Sequence, residues 1–461
     1  MPLRVSFVSL GCAKNLVDSE VMIATLARAG WEPTPDAAVA DAVVINTCAF
    51  IDPAKAESTE VILEHAAAKR PGQRLIVAGC LSQRYGEQLR SLIPEIDGIV
   101  GTGAHSEIDE ILAEARAGLS PVRLHTVAEP EHDFLPRLVT TPRATAYLKV
   151  AEGCDHPCTF CIIPQLRGAF RSRSRESLTN EARALAAGGA KELILIAQDT
   201  SMYGRDRGVR RGGLVPLLED LHEIDGVEWL RLLYLYPATL DTETIDAIAQ
   251  LPKVCKYVDM PLQHAHPEVL RAMKRPSNGE RYLEILEEFR RRVPGITIRS
   301  TFIVGFPGER EEHVAYLEAW LGRAELDRVG FFGYSREEGT PSAELGEQVP
   351  AREIRKRLVR LREAQRVASE RARSRRLGRT ERVLVEARRA LRRSEPAYAA
   401  FGAGPVFVGR SQAEAPGVDG NVFFTGDAQV GEFANVTLQG ASAFDSWGTA
   451  GERLELEAAG V

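Results

Sequence analysis

The chain has 461 residues, 44% hydrophobic and 26% charged, with a formal net charge of −6 at pH 7. That balance describes a globular chain with core enough for about three ordinary domains, and it excludes a uniformly basic nucleic-acid coat. The first ten residues are too alternating for a secretory signal, and no apolar run approaches the ~20 residues of a membrane span. The expected setting is therefore cytoplasmic and away from membranes, where the seven cysteines stay reduced and favour metal ligation over disulfides.

The first hundred residues alternate strand and helix signals. Arg4 to Leu10 reads as a strand, and Leu16 to Gly30 has helical periodicity with Gly30 as its stop. Asp41 to Asn46 is a buried-type strand followed by a helix from Pro53 to Lys69. Arg74 to Ala78 and Gly98 to Gly101 are further strands, with a helix through Leu92 between them. Alternating units with continuous apolar strands predict a doubly wound parallel sheet. Cys12, Cys48 and Cys80 each follow one of these strands, at the rim where such sheets bind ligands. A lone cysteine there would be a small core residue. Three in the same topological position point to a 4Fe–4S cluster. Asn15, Asn46 and Thr47 would either donate to cluster sulfurs or satisfy turns, and each taken alone reads as a turn residue.

Residues 118–142, with Pro121, Pro130, Pro136 and Pro142, read as a linker between residues 1–117 and the next domain, 143–350. Strand candidates there begin at Ala146, Leu193, Trp229, Tyr257, Ile296 and Val329, separated by amphipathic segments. Six such units predict a partial (β/α)6 barrel with chemistry at the carboxyl ends of its strands. Just after the first strand comes Gly153-Cys154-Asp155-His156-Pro157-Cys158-Thr159-Phe160-Cys161. Cys154, Cys158 and Cys161 would hold three corners of a second cubane, leaving its fourth iron open to a small molecule. A structural zinc needs a fourth protein ligand, and His156 inside so short a loop is poorly placed to be one. His264 and His266 read as pocket wall or helix start, and Cys255 as a structural thiol. Polar clusters near Gln198, Tyr234, Asp259 and Ser335 fall at later strand ends.

Residues 351–377 are arginine-rich with apolar residues at helical spacing. This connecting helix would either touch an RNA-rich assembly or close against acidic residues elsewhere in the chain. Short strands punctuated by glycine over 378–445 predict a small antiparallel β-barrel, with Asp419, Asp427 and Glu432 exposed on its turns, and 446–461 read as a tail.

The stretch Glu152-Gly-Cys-Asp-His-Pro-Cys-Thr-Phe-Cys-Ile-Ile-Pro-Gln-Leu-Arg-Gly168 resembles the radical S-adenosylmethionine (SAM) superfamily, and its extension to Arg175 resembles the methylthiotransferases. The resemblance spans the whole chain, and by it the last barrel is a TRAM domain. It implies two 4Fe–4S clusters, on Cys12, Cys48 and Cys80 and on Cys154, Cys158 and Cys161, with SAM on the open iron of the latter. It also implies SAM contacts at Phe160, Gln198, Gly305 and Glu309, although Thr301 replaces the first glycine of the superfamily element ending at Glu309. No acid–base residue is implied, because the chemistry is radical. Several stretches resemble the RimO branch: Ser9 to Glu20, Glu152 to Cys154, Tyr257 to Ala265 and Gly333 to Thr340; Ala13 stands where that branch commonly has proline. That branch implies methylthiolation of an aspartate β-carbon in small-subunit ribosomal protein S twelve, with a reducing electron donor. An acidic barrel suits such a basic partner. The alternatives are a tRNA adenosine methylthiotransferase (MiaB type) and a non-enzymatic iron–sulfur RNA-binding protein.

Overall fold

The computed structural model describes residues 2–125 and 136–451. Ala42–Thr47 and Arg74–Gly79 are almost wholly buried apolar runs, as central strands of a sheet covered on both faces must be. They lie in a six-stranded, all-parallel sheet in the order Trp31–Pro33, Leu3–Ser9, Ala42–Thr47, Arg74–Gly79, Gly98–Val100, Val122–Arg123. Met22, Leu26, Ile108 and Leu112 pack on one face, and Ile62, Leu81 and Leu89 on the other. The doubly wound expectation holds. The proposed linker does not begin at residue 118, because Val122–Arg123 forms the sheet's last strand; two residues carry no periodicity to announce it. Pro130 and the centre of the expected linker lie outside the described residues.

The second sheet is also six-stranded and parallel, and its spatial order follows the sequence: Thr145–Lys149, Glu192–Ile196, Trp229–Leu232, Val254–Asp259, Thr297–Val304, Arg328–Gly333. Its first and last strands do not pair, so the barrel is partial. The helices between strands start at side-chain caps that the sequence spells out. Ser174, Asp241 and Asn278 accept from the backbone N–H of Ser177, Thr244 and Arg281, respectively, each worth about 0.5–2 kcal/mol.

Thr380–Ala390, Pro405–Arg410, Val422–Thr425, Ser446–Ala450 and Phe433–Ala441 form a closed barrel in that spatial order. Two corrections follow. The tail does not start at 446, since Ser446–Ala450 is the strand that joins Val422–Thr425 to Phe433–Ala441 and closes the barrel. Residues 452–461 of the expected tail lie outside the described residues. Asp419 is not exposed on a turn: its side chain is 2% exposed and accepts from Tyr257 Oη at 2.7 Å.

Asp419 belongs to a loop, residues 411–419, that plugs the amino end of the second sheet. There Arg231 Nη1 donates to Gln412 O at 2.7 Å, Lys256 N donates to Gln412 Oε1 at 3.0 Å, and Arg328 pairs with Glu414 at 3.1 Å. Arg410 and Arg231 hold buried Glu192. Much of the barrel's acidity is thus spent inside the protein.

The helix Ala351–Ser374 follows the closing alternative for part of its charge and pairs some of the rest within itself. Arg357 pairs with Glu309, Arg360 with Glu311 and Glu318, and Arg366 with Glu363 and Glu370. Just past its end, Arg376 pairs with Glu381 and Glu414. Arg352, Arg355 and Arg371 stay exposed.

Candidate functional site

Cys12 caps the helix Ala13–Arg28, Cys48 follows Ala42–Thr47, and Cys80 opens the helix Cys80–Leu92. The three preceding strands are neighbours in the sheet, so the three thiols share one rim. A Cβ on Gly11 would stand 3.0 Å from Cys48 Sγ, which shows how closely the Cys12 turn approaches Cys48. At Gly79 the backbone takes φ +92 and ψ −153, a glycine-only conformation, and a Cβ there would lie 2.2 Å from Asn46 Oδ1. Asn46 Nδ2 in turn donates to Asn15 O at 2.7 Å and Ser19 Oγ at 2.9 Å, and Asn15 Nδ2 donates to Thr47 O at 2.8 Å. These polar residues build the turns that present the cysteines. Burial pushes the Cys80 thiol up to about 12, reinforced by nearby Cys12 and Cys48 and opposed by Arg167. Burial also raises Cys48. Such thiols are protonated at neutral pH, and binding a metal as thiolates expels those protons.

The loop carrying Cys154, Cys158 and Cys161 is pinned by backbone and side-chain bonds. Cys154 N donates to Gly168 O at 3.1 Å, Thr159 N to Met273 O at 3.2 Å, and Thr159 Oγ1 to Ala272 O at 2.9 Å. Burial raises Cys154 to about 11 and Cys161 to about 12. Half-buried Phe160 packs with Met273, Phe306 and Tyr334. His156 is committed elsewhere: Nε2 bonds Asp199 Oδ2 at 2.7 Å and the ring stacks on Tyr236 at 3.9 Å. Arg275, which nothing in the sequence singled out, lies over Tyr236 at 4.2 Å with Nη1 3.8 Å from Cys158 Sγ.

The two rims face each other across a buried charge cluster. Lys149 Nζ reaches Asp18 at 2.5 Å and Glu152 at 2.9 Å, and Arg167 Nη1 reaches the same two carboxylates, each at 2.9 Å. Burial alone would raise the Asp18 carboxyl, but Lys149 and Arg167 outweigh it and hold it down. Gln198 Nε2 donates to Glu152 Oε1 at 2.5 Å. Thr102 Oγ1 donates to Leu166 O at 2.6 Å, and Glu337 accepts from Arg84 at 2.6 Å and Lys55 at 2.7 Å, tying the two domains on either side. Sequence reasoning missed Asp18, Glu152 and Arg167 as a unit. The one available signal was Lys149, a charge at the end of the apolar strand Thr145–Lys149.

Gly305 and Glu309 sit at the end of Thr297–Val304, as expected, but serve the loop itself. Gly305 N donates to Glu309 Oε1 at 2.9 Å, and Arg357 Nη1 donates to the same oxygen at 2.8 Å. A Cβ on Gly305 would strike Ile354 at 2.3 Å, so this glycine admits the arginine-rich helix. Glu309 is 4% exposed; its Oε1 takes the bonds from Gly305 and Arg357, while its Oε2 is buried without a hydrogen-bond partner among the described residues.

Both triads fit 4Fe–4S clusters. Among the described residues, only His266, Glu268 and His313 bring three candidate ligand atoms within 4.8 Å of one another. The thiols of each triad are therefore set wider than the roughly 3.8 Å expected around a single tetrahedral zinc. Gln198 Oε1 is buried without a hydrogen-bond partner among the described residues, which suits a bound SAM beside it. The histidine trio does not suit a metal. His266 Nδ1 accepts from Glu268 N, and His313 has both ring nitrogens against Arg310, Nδ1 beside its N at 3.2 Å and Nε2 beside Nη2 at 3.1 Å, so a guanidinium already stands where a cation would bind. His266 is a helix cap, as its position suggested.

Comparison with known proteins shows three family models along the chain. They are the uncharacterized protein family UPF0004 over residues 4–101, the radical SAM superfamily over 148–321 and the TRAM domain over 377–450. The chain is 44% identical to the ribosomal protein uS12 methylthiotransferase RimO of Symbiobacterium thermophilum, over 99% of this chain and 93% of that protein. It is 44% identical to the protein of the same name from Desulforudis audaxviator, over 96% of each. Among solved structures, the radical SAM methyltransferase TsrM from Kitasatospora setae aligns with a TM-score of 0.55 at 17% identity, covering 74% of this chain and 77% of that one. That likeness concerns the fold.

Proposed function

The chain belongs to the ribosomal protein uS12 methylthiotransferases of the RimO type, and from that premise we propose that it attaches a methylthio group to the β-carbon of an aspartate in uS12. It is a radical SAM transferase that uses SAM and two 4Fe–4S clusters. Cys154, Cys158 and Cys161 would hold the SAM-binding cluster and Cys12, Cys48 and Cys80 the other. When bound, these groups supply a carbon radical that takes hydrogen from a C–H bond offering no acidity to a side-chain base, and a source of sulfur. The protein's own residues do the rest. Arg275 and the stacked pair His156 and Tyr236 wall one side of the cysteine loop, and Asp199 holds His156 in place. The unpartnered, buried Gln198 Oε1 supports a SAM contact there.

The observation that carries this reading is the Asp18, Lys149, Glu152 and Arg167 cluster, which joins the helix behind Cys12 to the residues flanking the Cys154 loop and supports a single shared site. A sulfur source and a hydrogen-abstracting centre must meet one carbon, and a shared buried bridge serves that need. The reaction so proposed runs in the cytoplasm, with the small ribosomal subunit or free uS12 as partner and a reducing electron donor; tRNA adenosine is the competing substrate. Mass spectrometry of uS12 and of bulk tRNA from a strain lacking the gene tests it. Loss of one methylthio group from a uS12 aspartate is expected; loss from tRNA with uS12 unchanged would overturn the substrate.

A further inference from the structure

Arg167 ends the short helix Ile163–Arg167, close in sequence to Cys161, yet its guanidinium crosses the domain boundary. Nη1 donates to Asp18 Oδ2 and Glu152 Oε2 at 2.9 Å each, Nη2 donates to Asn15 Oδ1 at 2.9 Å, and Nη2 also lies 3.6 Å from Cys80 Sγ. The side chain is 2% exposed. Asp18 and Glu152 are matched by Lys149 and Arg167, so the quartet is charge-balanced before any thiolate is counted. Arg167 is therefore held in place by neighbours that do not depend on a cluster, with one N–H directed at a cysteine sulfur. Its field falls on all three thiols of that rim, opposing the rise that burial imposes on Cys48 and Cys80.

Potentials of iron–sulfur clusters are set by net charge, hydrogen bonds to sulfur and solvent exposure. A fixed cation within reach of a ligand sulfur favours the reduced cluster, which carries one more negative charge. We propose that Arg167 is a positioning residue that raises the reduction potential of the cluster on Cys12, Cys48 and Cys80 while fixing Cys80, so that the loop of one cluster sets the redox state of the other. The inference rests on the reading of those three cysteines as cluster ligands.

The test isolates that cluster in the full chain carrying Cys154→Ala, Cys158→Ala and Cys161→Ala, reconstituted anaerobically with iron and sulfide. Electron paramagnetic resonance follows one-electron reduction by dithionite against potential. Adding Arg167→Gln is expected to move the midpoint to a more negative value and alter the spectrum. Arg167→Lys, which keeps the charge but cannot reach Asp18, Asn15 and Cys80 together, is expected to move it less. A merely structural role would lower iron content without moving the midpoint of the clusters that form. An unchanged midpoint in Arg167→Gln overturns the proposal; should that variant take up no iron, an unchanged midpoint in Arg167→Met, which also removes the charge, does so. If the parent triple variant binds no iron, the ligand reading itself falls and this inference with it. That failure is distinguishable from iron bound at an unaltered potential.

Discussion

Gly79→Ala and Gly30→Ala make a matched pair of perturbations, because both glycines sit at φ +92 but in different surroundings. Around Gly30 an added Cβ meets nothing within 4 Å, so the substitution costs only the left-handed backbone term, about 1–2 kcal/mol. At Gly79 the Cβ meets Asn46 Oδ1 at 2.2 Å and Thr47 O at 2.6 Å, and neither is the far end of a flexible chain. Asn46 must move, giving up its bonds to Asn15 O and Ser19 Oγ at about 1 kcal/mol each. Gly79→Ala is thus expected to cost about 3–5 kcal/mol and to displace Cys80, the next residue. Anaerobic urea unfolding with iron and sulfide analysis reads both effects. Gly30→Ala should keep full iron, and Gly79→Ala should lose the cluster on Cys12, Cys48 and Cys80. A Gly79→Ala protein no less stable than Gly30→Ala and with full iron would refute the argument that this turn sets the ligand geometry.

Cys158→Ala should abolish reductive SAM cleavage while leaving the spectrum of the other cluster, measured by product analysis and paramagnetic resonance on one preparation. Glu192, where burial alone would raise the carboxyl, is instead held down to about 2 by Arg410 and Arg231. Its stabilisation is full above its unfolded value near ~4.3 and is lost as pH falls through the folded one, so the stability gap between wild type and Glu192→Gln should be about 1.5 kcal/mol narrower at about pH 3 than at about pH 6. A gap independent of pH in urea unfolding would contradict this. Glu337→Ala leaves Arg84 and Lys55 facing each other without their shared carboxylate, and should cost about 3 kcal/mol and expose the amino-terminal domain to limited proteolysis.

The fold was legible where burial writes itself into the sequence. Continuous apolar runs such as Ala42–Thr47 announce central parallel strands, and cysteines that follow three such runs must share a rim. Short elements were not legible. Val122–Arg123 and Ser446–Ala450 are made strands by their neighbours, not by their own patterns. The charges were the least legible part. Nothing local distinguishes Asp419, buried against Tyr257, from Asp427 on an exposed turn. Equally, the arginines of residues 351–377 reveal only in three dimensions which of them, such as Arg357, Arg360 and Arg376, answer carboxylates elsewhere in the chain. Gly305 and Glu309 were found by position, yet their work is to fit Ile354 and Arg357, which lie far along the sequence.

The loop of residues 411–419 has a consequence for how the protein is made. Arg231, Lys256, Arg299 and Arg328 belong to the middle of the chain, but partners they meet at the amino end of the sheet come from Gln412, Glu414 and Asp419. During synthesis the middle domain leaves the ribosome while those partners are still untranslated. Arg231 and Arg299 already have Glu192 and Asp259, but Arg328 then waits for Glu414, and the amino end of the sheet stays uncovered until the last domain has emerged. A chain cut before the barrel would leave that end open to solvent and is expected to aggregate more readily than the full chain.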